Sequence, residues 1–225
     1  MDNERTPLTF AHEETLSASE RAYDWTRSKI LDGSFSDGSM ISESEVSEPL
    51  GISRTPVREA FLRLEHDGTL KVFPKRGALI LPISAKDMRD VLEARLLVEP
   101  WAVSIIAGSN RREPLVETLR LLLDRQEHAA AHQMVLEYQE ADRSFHEAIV
   151  AATENRILDV FYQSLRDRQL RMGAVAIAKH EDRHGSIVDE HLQIVEAIAR
   201  GDAETATRIV RVHIGRTREA LDVRD

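Results

Sequence analysis

Four side chains in the second half of the chain could together bind a divalent metal ion. Asp142 and His146 are four residues apart, so a helix would place them on the same face, about one turn apart. His191 and His213 each lie within an apolar run, where a buried histidine must find a partner. One carboxylate and three imidazoles, carried by three helices, form a ligand set that zinc, nickel, manganese and iron all accept. The alternative for each histidine is a core position with a hydrogen bond to a carbonyl.

A second pattern has the H-E-x-x-H spacing of zinc metalloproteases, in which two histidines bind zinc and the glutamate activates water. It consists of His180, Glu181 and His184. Gly185 follows at once and should end a helical turn that such an enzyme needs to continue. The flanking residues are charged rather than apolar, which is typical of an exposed junction. A zinc metallohydrolase therefore remains only a competing interpretation, and we do not expect the chain to be an enzyme.

The stretch from Gly51 to Gly68 indicates a different chemistry, the binding of nucleic acid. Ser53 can cap a helix here. Arg54, Thr55 and Arg58 crowd one face at the helix start, where free N–H groups suit phosphate. Arginine can also donate two parallel hydrogen bonds to the edge of guanine. The opposite face should be buried, because apolar residues recur there at helical spacing: Val57, Ala60, Phe61 and Leu64.

Shorter elements flank this helix. Residues 42–50 are predicted to form a helix, with Ser42 and Glu45 spaced as a capping box. Residues 69–72 and 78–81 are predicted to form two short strands. Helix, turn, helix and a two-stranded wing make up the winged helix-turn-helix plan. The turn between the strands is the wing tip, with two positive charges: Lys75, Arg76 and Gly77.

The metal candidates must be positioned by long helices, because the pattern after the wing is helical throughout. Pro100 lies inside the first of these helices and predicts a kink or an interruption. Asn155 is expected to cap a helix rather than to line a pocket. Six helices are predicted, over residues 85–108, 111–130, 132–153, 155–178, 182–200 and 202–222.

The fold class is thus mainly α, with a winged helix-turn-helix followed by an all-helical bundle. The predicted organisation is a flexible arm (1–16), a DNA-binding domain (17–82), a linker (83–86) and a helical effector-binding and dimerisation domain (87–222).

Composition supports a regulator rather than a packaging protein. The 225 residues carry a net charge of −9. The stretch from Ser53 to Arg76 nevertheless contains six basic residues and only three acidic ones. A focused basic patch on an acidic body suits a protein that must leave DNA readily. Cysteine is absent, so disulfides and thiolate ligands are excluded. No apolar run approaches the roughly 20 residues of a membrane helix, and we expect a cytoplasmic protein without a membrane partner.

The run from Ala22 to Ile80 resembles the DNA-binding domain of the GntR family of bacterial transcription regulators. The resemblance implies that the helix starting at Ser53 enters the major groove and that the wing tip approaches the minor groove. It also implies a homodimer that binds a palindromic operator in double-stranded DNA. Many relatives carry arginine where this chain has Ser44, which can still bind phosphate but lacks the charge. The matching residues are Ile30, Gly33, Ile41, Glu43, Glu45, Leu50, Gly51, Ser53 to Ala60, Leu64, Gly68, Leu70, Arg76 and Gly77.

The second half resembles the all-helical FCD effector domain of the FadR subfamily, in its six-helix, VanR-like branch. The resemblance implies a divalent metal, with zinc as the first choice, held by Asp142, His146, His191 and His213. It also implies that Arg95 pairs with the carboxylate of a small effector. The residues that carry the resemblance are Arg95, the run Asp142 to His146, Asn155, the run Glu190 to Asp202, and His213.

Both resemblances together imply a ligand-responsive transcription regulator, and a repressor is the expected mode. A small organic acid bound at the metal and at Arg95 would release it from DNA. Two alternatives stay open: the metal could be purely structural, or it could itself be the sensed signal.

Overall fold

The computed structural model describes residues 16–179 and 184–223, and the chain divides into two units between Pro82 and Ile83. Each unit has its own hydrophobic core. The predicted arm, residues 1–16, lies outside the described residues except for Leu16. Within the described ranges, no helix combines the length and the apolar character that a membrane span requires.

The described residues of the first unit form three helices and a small sheet. Two of the helices begin with a capping box, in which Ser17 pairs with Glu20 and Ser42 pairs with Glu45. Gly51 ends the second helix in the left-handed conformation, with φ of 63°, which costs a glycine little. The helices are α1 (Ala18–Leu31), α2 (Glu43–Leu50) and α3 (Arg54–His66). The apolar face predicted for α3 is buried in the core of this unit.

The sheet has three strands, not the two that the sequence predicted. They are β1 (Met40–Ile41), β2 (Leu70–Phe73) and β3 (Gly77–Ile80), antiparallel in the order β1-β3-β2. A strand of two residues is too short to show an alternating pattern, which is why it was missed. A side chain at Gly77 would place its Cβ 2.1 Å from the carbonyl oxygen of Ile41. Glycine is therefore required at the start of β3, where the backbone of β1 lies alongside it.

The second unit is all-helical within the described residues. Its helices are α4 (Ala85–Ala107), α5 (Arg112–Ala131), α6 (Val135–Ala151), α7 (Arg156–Gln163), α8 (Arg166–Lys179), α9 (His184–Ala199) and α10 (Ala203–Ala220). Helix α4 packs against α10, and α5 packs against α6 and α9. Helix α4 is not interrupted at Pro100. Asn155 caps α7 as predicted, accepting hydrogen bonds from the backbone of Ile157 and Leu158.

The prediction of six helices in this unit was wrong, because the helix predicted over residues 155–178 is two helices. The described residues of the second unit form seven helices, and the extra break falls at Ser164 and Leu165. The Ser164 hydroxyl donates to the carbonyl of Phe161 at 2.6 Å. A serine that bonds the preceding turn in this way competes with the helical hydrogen bonds. Tyr162 near the end of α7 and Leu165 just before α8 are both buried, so packing holds the bend in place.

Candidate functional site

Three buried histidines converge inside the helical unit. His146 on α6, His191 on α9 and His213 on α10 are each at most 3% exposed. Nε2 of His146 lies 3.2 Å from Nε2 of His191 and 3.2 Å from Nε2 of His213. Phe145 stacks on the His191 ring with the centroids 4.1 Å apart, which fixes the plane of that ring. The fold thus brings together three of the four side chains that were predicted to face a common interior.

The outer nitrogens of two of these rings are held by neighbouring side chains, which sets their tautomers. Nδ1 of His191 lies 2.8 Å from Oε1 of Gln126, whose Nε2 donates to Asp142 at 3.1 Å. Nδ1 of His213 lies 2.8 Å from Oε2 of Glu190. Amide and carboxylate oxygens only accept hydrogen bonds, so both Nδ1 atoms must be donors. Their Nε2 atoms therefore carry lone pairs that point at the centre of the cluster.

The third ring, His146, is paired with a fully buried carboxylate. Its Nδ1 lies 2.8 Å from Oε2 of Glu99, although the two atoms are not aligned for a good hydrogen bond. Burial lowers the pKa of His146, partly opposed by Glu99, and lowers the pKa of His191 well below its ordinary value. Burial would raise the pKa of Glu99, but the charge of Arg95 above all, together with the neighbouring His146, outweighs it and holds that pKa far below its usual range. The site therefore combines an ionised carboxylate with two rings, His146 and His191, whose burial favours the neutral imidazole.

This donor set fits a divalent cation. The Nε2 lone pairs of His191 and His213 both point toward Nε2 of His146, and a cation at the centre would satisfy all three nitrogens when His146 carries its proton on Nδ1, beside Glu99. Two nitrogens bound to zinc at about 2.0–2.1 Å, with ligand angles of about 90–110°, are roughly 2.9–3.4 Å apart. The observed separations fall within this range. The three histidines could therefore hold a metal ion.

Asp142, the fourth predicted ligand, lies beside the cluster. Its Oδ1 is 3.7 Å from Nε2 of His191 and also accepts the hydrogen bond from Gln126. The side chain is 30% exposed and lines the cavity next to the histidines. Asp142 is thus linked to His191 through the amide that sets the His191 tautomer.

Arg95 belongs to the same buried network. Its Nε donates to Oε1 of Glu99 at 2.6 Å, and the Tyr162 hydroxyl donates to the same oxygen at 2.6 Å. Burial opposes a charged guanidinium, but Glu99 outweighs this effect and raises the pKa of Arg95. Arg95 is 6% exposed, and its Nη2 has no hydrogen-bond partner among the described residues. A charged group with a buried, unpaired donor is suited to receive an anionic oxygen.

These groups line a cavity of about 70 Å³. One water needs roughly 10–15 Å³ of such space, so the cavity has room for about five to seven water-sized groups. A small organic ion can therefore lie beside the histidines. The polar part of the wall includes Arg95, Asp142, His146 and His213, and the apolar part includes Tyr138, Met172 and Ile187.

Three functional candidates were missed from the sequence: Glu99, Gln126 and Glu190. Glu99 did carry a signal, because it follows Arg95 by four residues within an otherwise apolar stretch, which is the spacing of a helical ion pair. Glu190 immediately precedes His191 but contacts His213, on another helix. Nothing in the local sequence distinguishes Gln126 from a surface glutamine, although it is fully buried.

The residues predicted to contact DNA lie at the start of α3, on the outside of the first unit. The four at the helix start are exposed: Ser53, Arg54, Thr55 and Arg58. Ser53 occupies the N-cap position, but its hydroxyl makes no capping hydrogen bond. Arg54 donates to the Ser44 hydroxyl at 3.0 Å. Arg58 is 2.6 Å from Glu43, and its side chain stays 65% exposed. Both arginines are thus held in place by α2 while remaining open to solvent.

The wing tip is also exposed. Lys75 and Arg76 lie in the tight turn between β2 and β3, and Lys75 adopts a left-handed conformation with φ of 62°. Gly77 closes this turn and is half-buried against β1. The turn therefore presents two positive charges.

The competing H-E-x-x-H motif gains no geometric support. His180 and Glu181 lie outside the described residues. His184 is the first residue of α9, and its side chain also lies outside what is described.

Both units match known protein families. Residues 18–80 match the bacterial regulatory proteins of the gntR family, and residues 90–216 match the FCD domain. The FCD match alone covers more than half of the chain. Proteins of this kind regulate transcription through the winged unit and receive a small-molecule effector in the helical unit.

Individual relatives agree with this assignment. The chain is 27% identical over 199 residues to YdhC of Bacillus subtilis, named an uncharacterized HTH-type transcriptional regulator, with 88% of each chain covered. It is 25% identical over 207 residues to the HTH-type transcriptional repressor RspR of Escherichia coli, covering 92% of this chain and 90% of that one.

A solved structure shares the fold. The GntR transcriptional regulator from Rhodococcus sp. RHA1 superposes with a TM-score of 0.79 at 24% identity, covering 93% of this chain and all of that one. The chain therefore belongs to the GntR family of bacterial transcription regulators that carry an FCD domain: it is a DNA-binding regulator that responds to a small-molecule effector, and not an enzyme.

Proposed function

We propose that this regulator is a repressor that a small organic acid releases from DNA, and that the acid binds beside a divalent metal in the helical unit. One observation carries the proposal: three buried imidazoles bring their Nε2 atoms together beside a cavity that also contains a donor of Arg95 that no described residue accepts. A permanent cation and a metal-binding donor set on one small cavity are complementary to a carboxylate.

The metal ligands in this proposal are His146, His191 and His213, with Asp142 as the oxygen ligand. Zinc is the first choice, and nickel, manganese and iron accept the same donors. A bound metal would supply positive charge and a further ligand position to an oxygen of the effector. Gln126 and Glu190 hold His191 and His213 in the tautomer that this requires, and Oε2 of Glu99 lies 2.8 Å from Nδ1 of His146.

Arg95 is the proposed partner of the effector carboxylate. Its Nε is already held by Glu99, so the guanidinium is fixed in orientation before the ligand arrives. Its Nη2 then offers a hydrogen bond that no described residue accepts. Preorganisation of this kind reduces the entropy cost of binding.

On the DNA side, the proposed contacts are made by the start of α3 and by the wing tip. Arg54, Thr55 and Arg58 would lie nearest to bases and phosphates in the major groove, and the tip would approach the minor groove. Ser44 and Ser53 would bind phosphate. A homodimer would place two such surfaces on a palindromic operator. Because the DNA of a bacterium lies in the cytoplasm, the protein is proposed to be cytoplasmic. The remaining proposed contacts are Lys75, Arg76 and Gly77.

The effector can act only through a difference in its affinity for the DNA-binding and the released state. By linkage, DNA must then weaken effector binding by the same factor as the effector weakens DNA binding. This reciprocity is a quantitative requirement of the proposal.

The test starts from the metal content of the purified protein, measured by inductively coupled plasma mass spectrometry. Metal-loaded protein is then screened by thermal shift against small carboxylates. A ligand at a hundred times its dissociation constant should add about 2.7 kcal/mol of stability. Affinity for DNA is measured by fluorescence anisotropy, on a site selected from a random library with the wild-type protein.

A carboxylate that stabilises the protein, loses its effect on chelation and weakens DNA binding supports the proposal. A protein that lacks metal contradicts the metal site. A bound metal without any carboxylate response favours the alternatives in which the metal is structural or is itself sensed. DNA affinity after removal of the metal alone separates those two, because only a sensed metal changes it.

A further inference from the structure

Two buried hydrogen-bond donors in the wall of the effector cavity have no acceptor. Nη2 of Arg95 and Nε2 of Gln169 are both buried, and neither has a hydrogen-bond partner among the residues that the structure describes. Both residues line the cavity of about 70 Å³. A buried donor without a partner carries the desolvation penalty of its polar group. Two such donors at one cavity indicate a ligand that supplies the acceptors.

Gln169 is separate from the proposed metal ligands and lies on α8. Its amide is near the Tyr162 hydroxyl but lacks the geometry of a hydrogen bond to it. Tyr162 donates to Glu99, which also accepts from Arg95. This series of contacts puts the two unpaired donors on adjoining parts of the cavity wall.

The remaining wall limits what these donors can bind. Met172 and Ile187 contribute apolar surface without an acceptor, and the acceptors of Gln139, Asp142 and Thr217, which also line the wall, leave both donors unpaired. The space admits roughly five to seven water-sized groups. In the proposed function one carboxylate oxygen lies at the metal and the other pairs with Arg95, so the Gln169 amide needs a further acceptor oxygen on the same short carbon skeleton.

Resting on the proposed function, we infer that Gln169 selects effectors that carry a second acceptor oxygen besides the carboxylate paired with Arg95. The class comprises short 2-hydroxy and 2-oxo carboxylates and short dicarboxylates. A plain monocarboxylate leaves the Gln169 amide unpaired. A site built to bond a polar group rejects an analogue that lacks it, because its own buried group is then unsatisfied.

The test compares acetate with glycolate, which differ by one hydroxyl group, on metal-loaded full-length protein by isothermal titration calorimetry. Glycolate should bind about tenfold more tightly to the wild type, and Gln169→Leu should abolish that preference. Gln163→Leu is the matched control, because Gln163 is an exposed glutamine on α7 outside the cavity wall. Equal affinity for the two acids in the wild type, or a preference that survives Gln169→Leu, overturns the inference.

Gln169→Glu provides a second test if the leucine variant fails to fold. It preserves size and polarity but places a negative charge beside the bound acid, so the affinity for glycolate should fall about tenfold or more. Unchanged glycolate affinity in this variant also overturns the inference.

The two proposals fail in different ways. If carboxylate binding is lost in Arg95→Lys but is unchanged by the substitutions of Gln169, the role of Gln169 is rejected and the proposed function stands. Failure of acetate, glycolate and malonate to bind the metal-loaded wild type rejects both.

Discussion

The two units of this regulator keep their functional side chains in opposite environments. In the DNA-binding unit most candidate contacts are exposed, and all except Ser44 on α2 come from two short stretches, the start of α3 and the wing tip. In the helical unit the candidate metal and effector groups are mostly buried. They come from helices α4, α6, α8, α9 and α10 and range in sequence from Arg95 to His213.

The difference follows from what each unit binds. DNA is large and hydrated, so exposed cations that exchange water for phosphate are sufficient, and their ion pairs open at little cost. A small anion offers few contacts, so each must be strengthened by removal from water and by fixed geometry. The exposed Arg58–Glu43 pair and the buried Arg95–Glu99 pair have the same 2.6 Å separation, yet only the second should matter for stability.

The largest effect is expected from a substitution that breaks the buried pair. Arg95→Ala leaves Glu99 charged and buried without its main partner, which should destabilise the helical unit by about 3–5 kcal/mol. Urea unfolding followed by circular dichroism measures this. Lys86→Ala is the matched control, since Lys86 and Asp90 form an i,i+4 pair on the same helix but in solvent. A similar loss in both variants would contradict the importance of burial.

The next effect concerns the metal. His191→Ala removes one proposed ligand and should lower metal affinity by more than about 100-fold, beyond what the loss of an outer partner costs. Competition with a chromophoric chelator gives the affinity. His132→Ala is the control, because His132 is exposed on the end of α5. Full metal occupancy in the His191 variant would reject that ligand assignment.

A smaller effect is expected on the exposed side. Arg58→Ala should weaken binding to the selected DNA site by about 5- to 100-fold if Arg58 bonds a base edge. Fluorescence anisotropy at fixed salt measures it. The metal content and the unfolding midpoint should stay at wild-type values, which is the contrast with Arg95. Wild-type DNA affinity in this variant would remove Arg58 from the interface.

The smallest effect tests the shape of the cavity. Gly173 lies in the interior of α8, and a Cβ there would meet Gln139 at 3.5 Å, an ordinary contact. Gly173→Ala should therefore stabilise the fold by about 0.5–1 kcal/mol through better helix propensity. The added methyl group should also lower the affinity for malonate more than the affinity for acetate, and calorimetry measures both.

Gly215→Ala provides the control for that variant, because Gly215 is also helical and a Cβ there would meet nothing within 4 Å beyond its own helix backbone. It should gain similar stability without any change in ligand preference. Equal effects of both variants on malonate would show that the cavity wall near Gly173 does not limit the ligand.

Sequence patterns were sufficient where the structure is local. The capping box of α2, the buried face of α3 and the cap at Asn155 depend on contacts within a few residues, and all three were predicted. Prediction failed where distant contacts decide the outcome. The strand β1 exists only because β3 pairs with it, and buried neighbours hold the bend at Ser164.

The sequence by itself determined the family, the position of helix α3 and the identity of three histidines that meet in the core. The family and the histidine set followed from the resemblance to known domains, whereas periodicity was enough for the helix, since it reports which face is buried. Tertiary structure alone decided which partner each ring received. Glu99, Gln126 and Glu190 reach the histidines from other helices, and the free donors of Arg95 and Gln169 adjoin one cavity. Side chains far apart in sequence acquire a shared chemistry only when packing brings them within bonding distance.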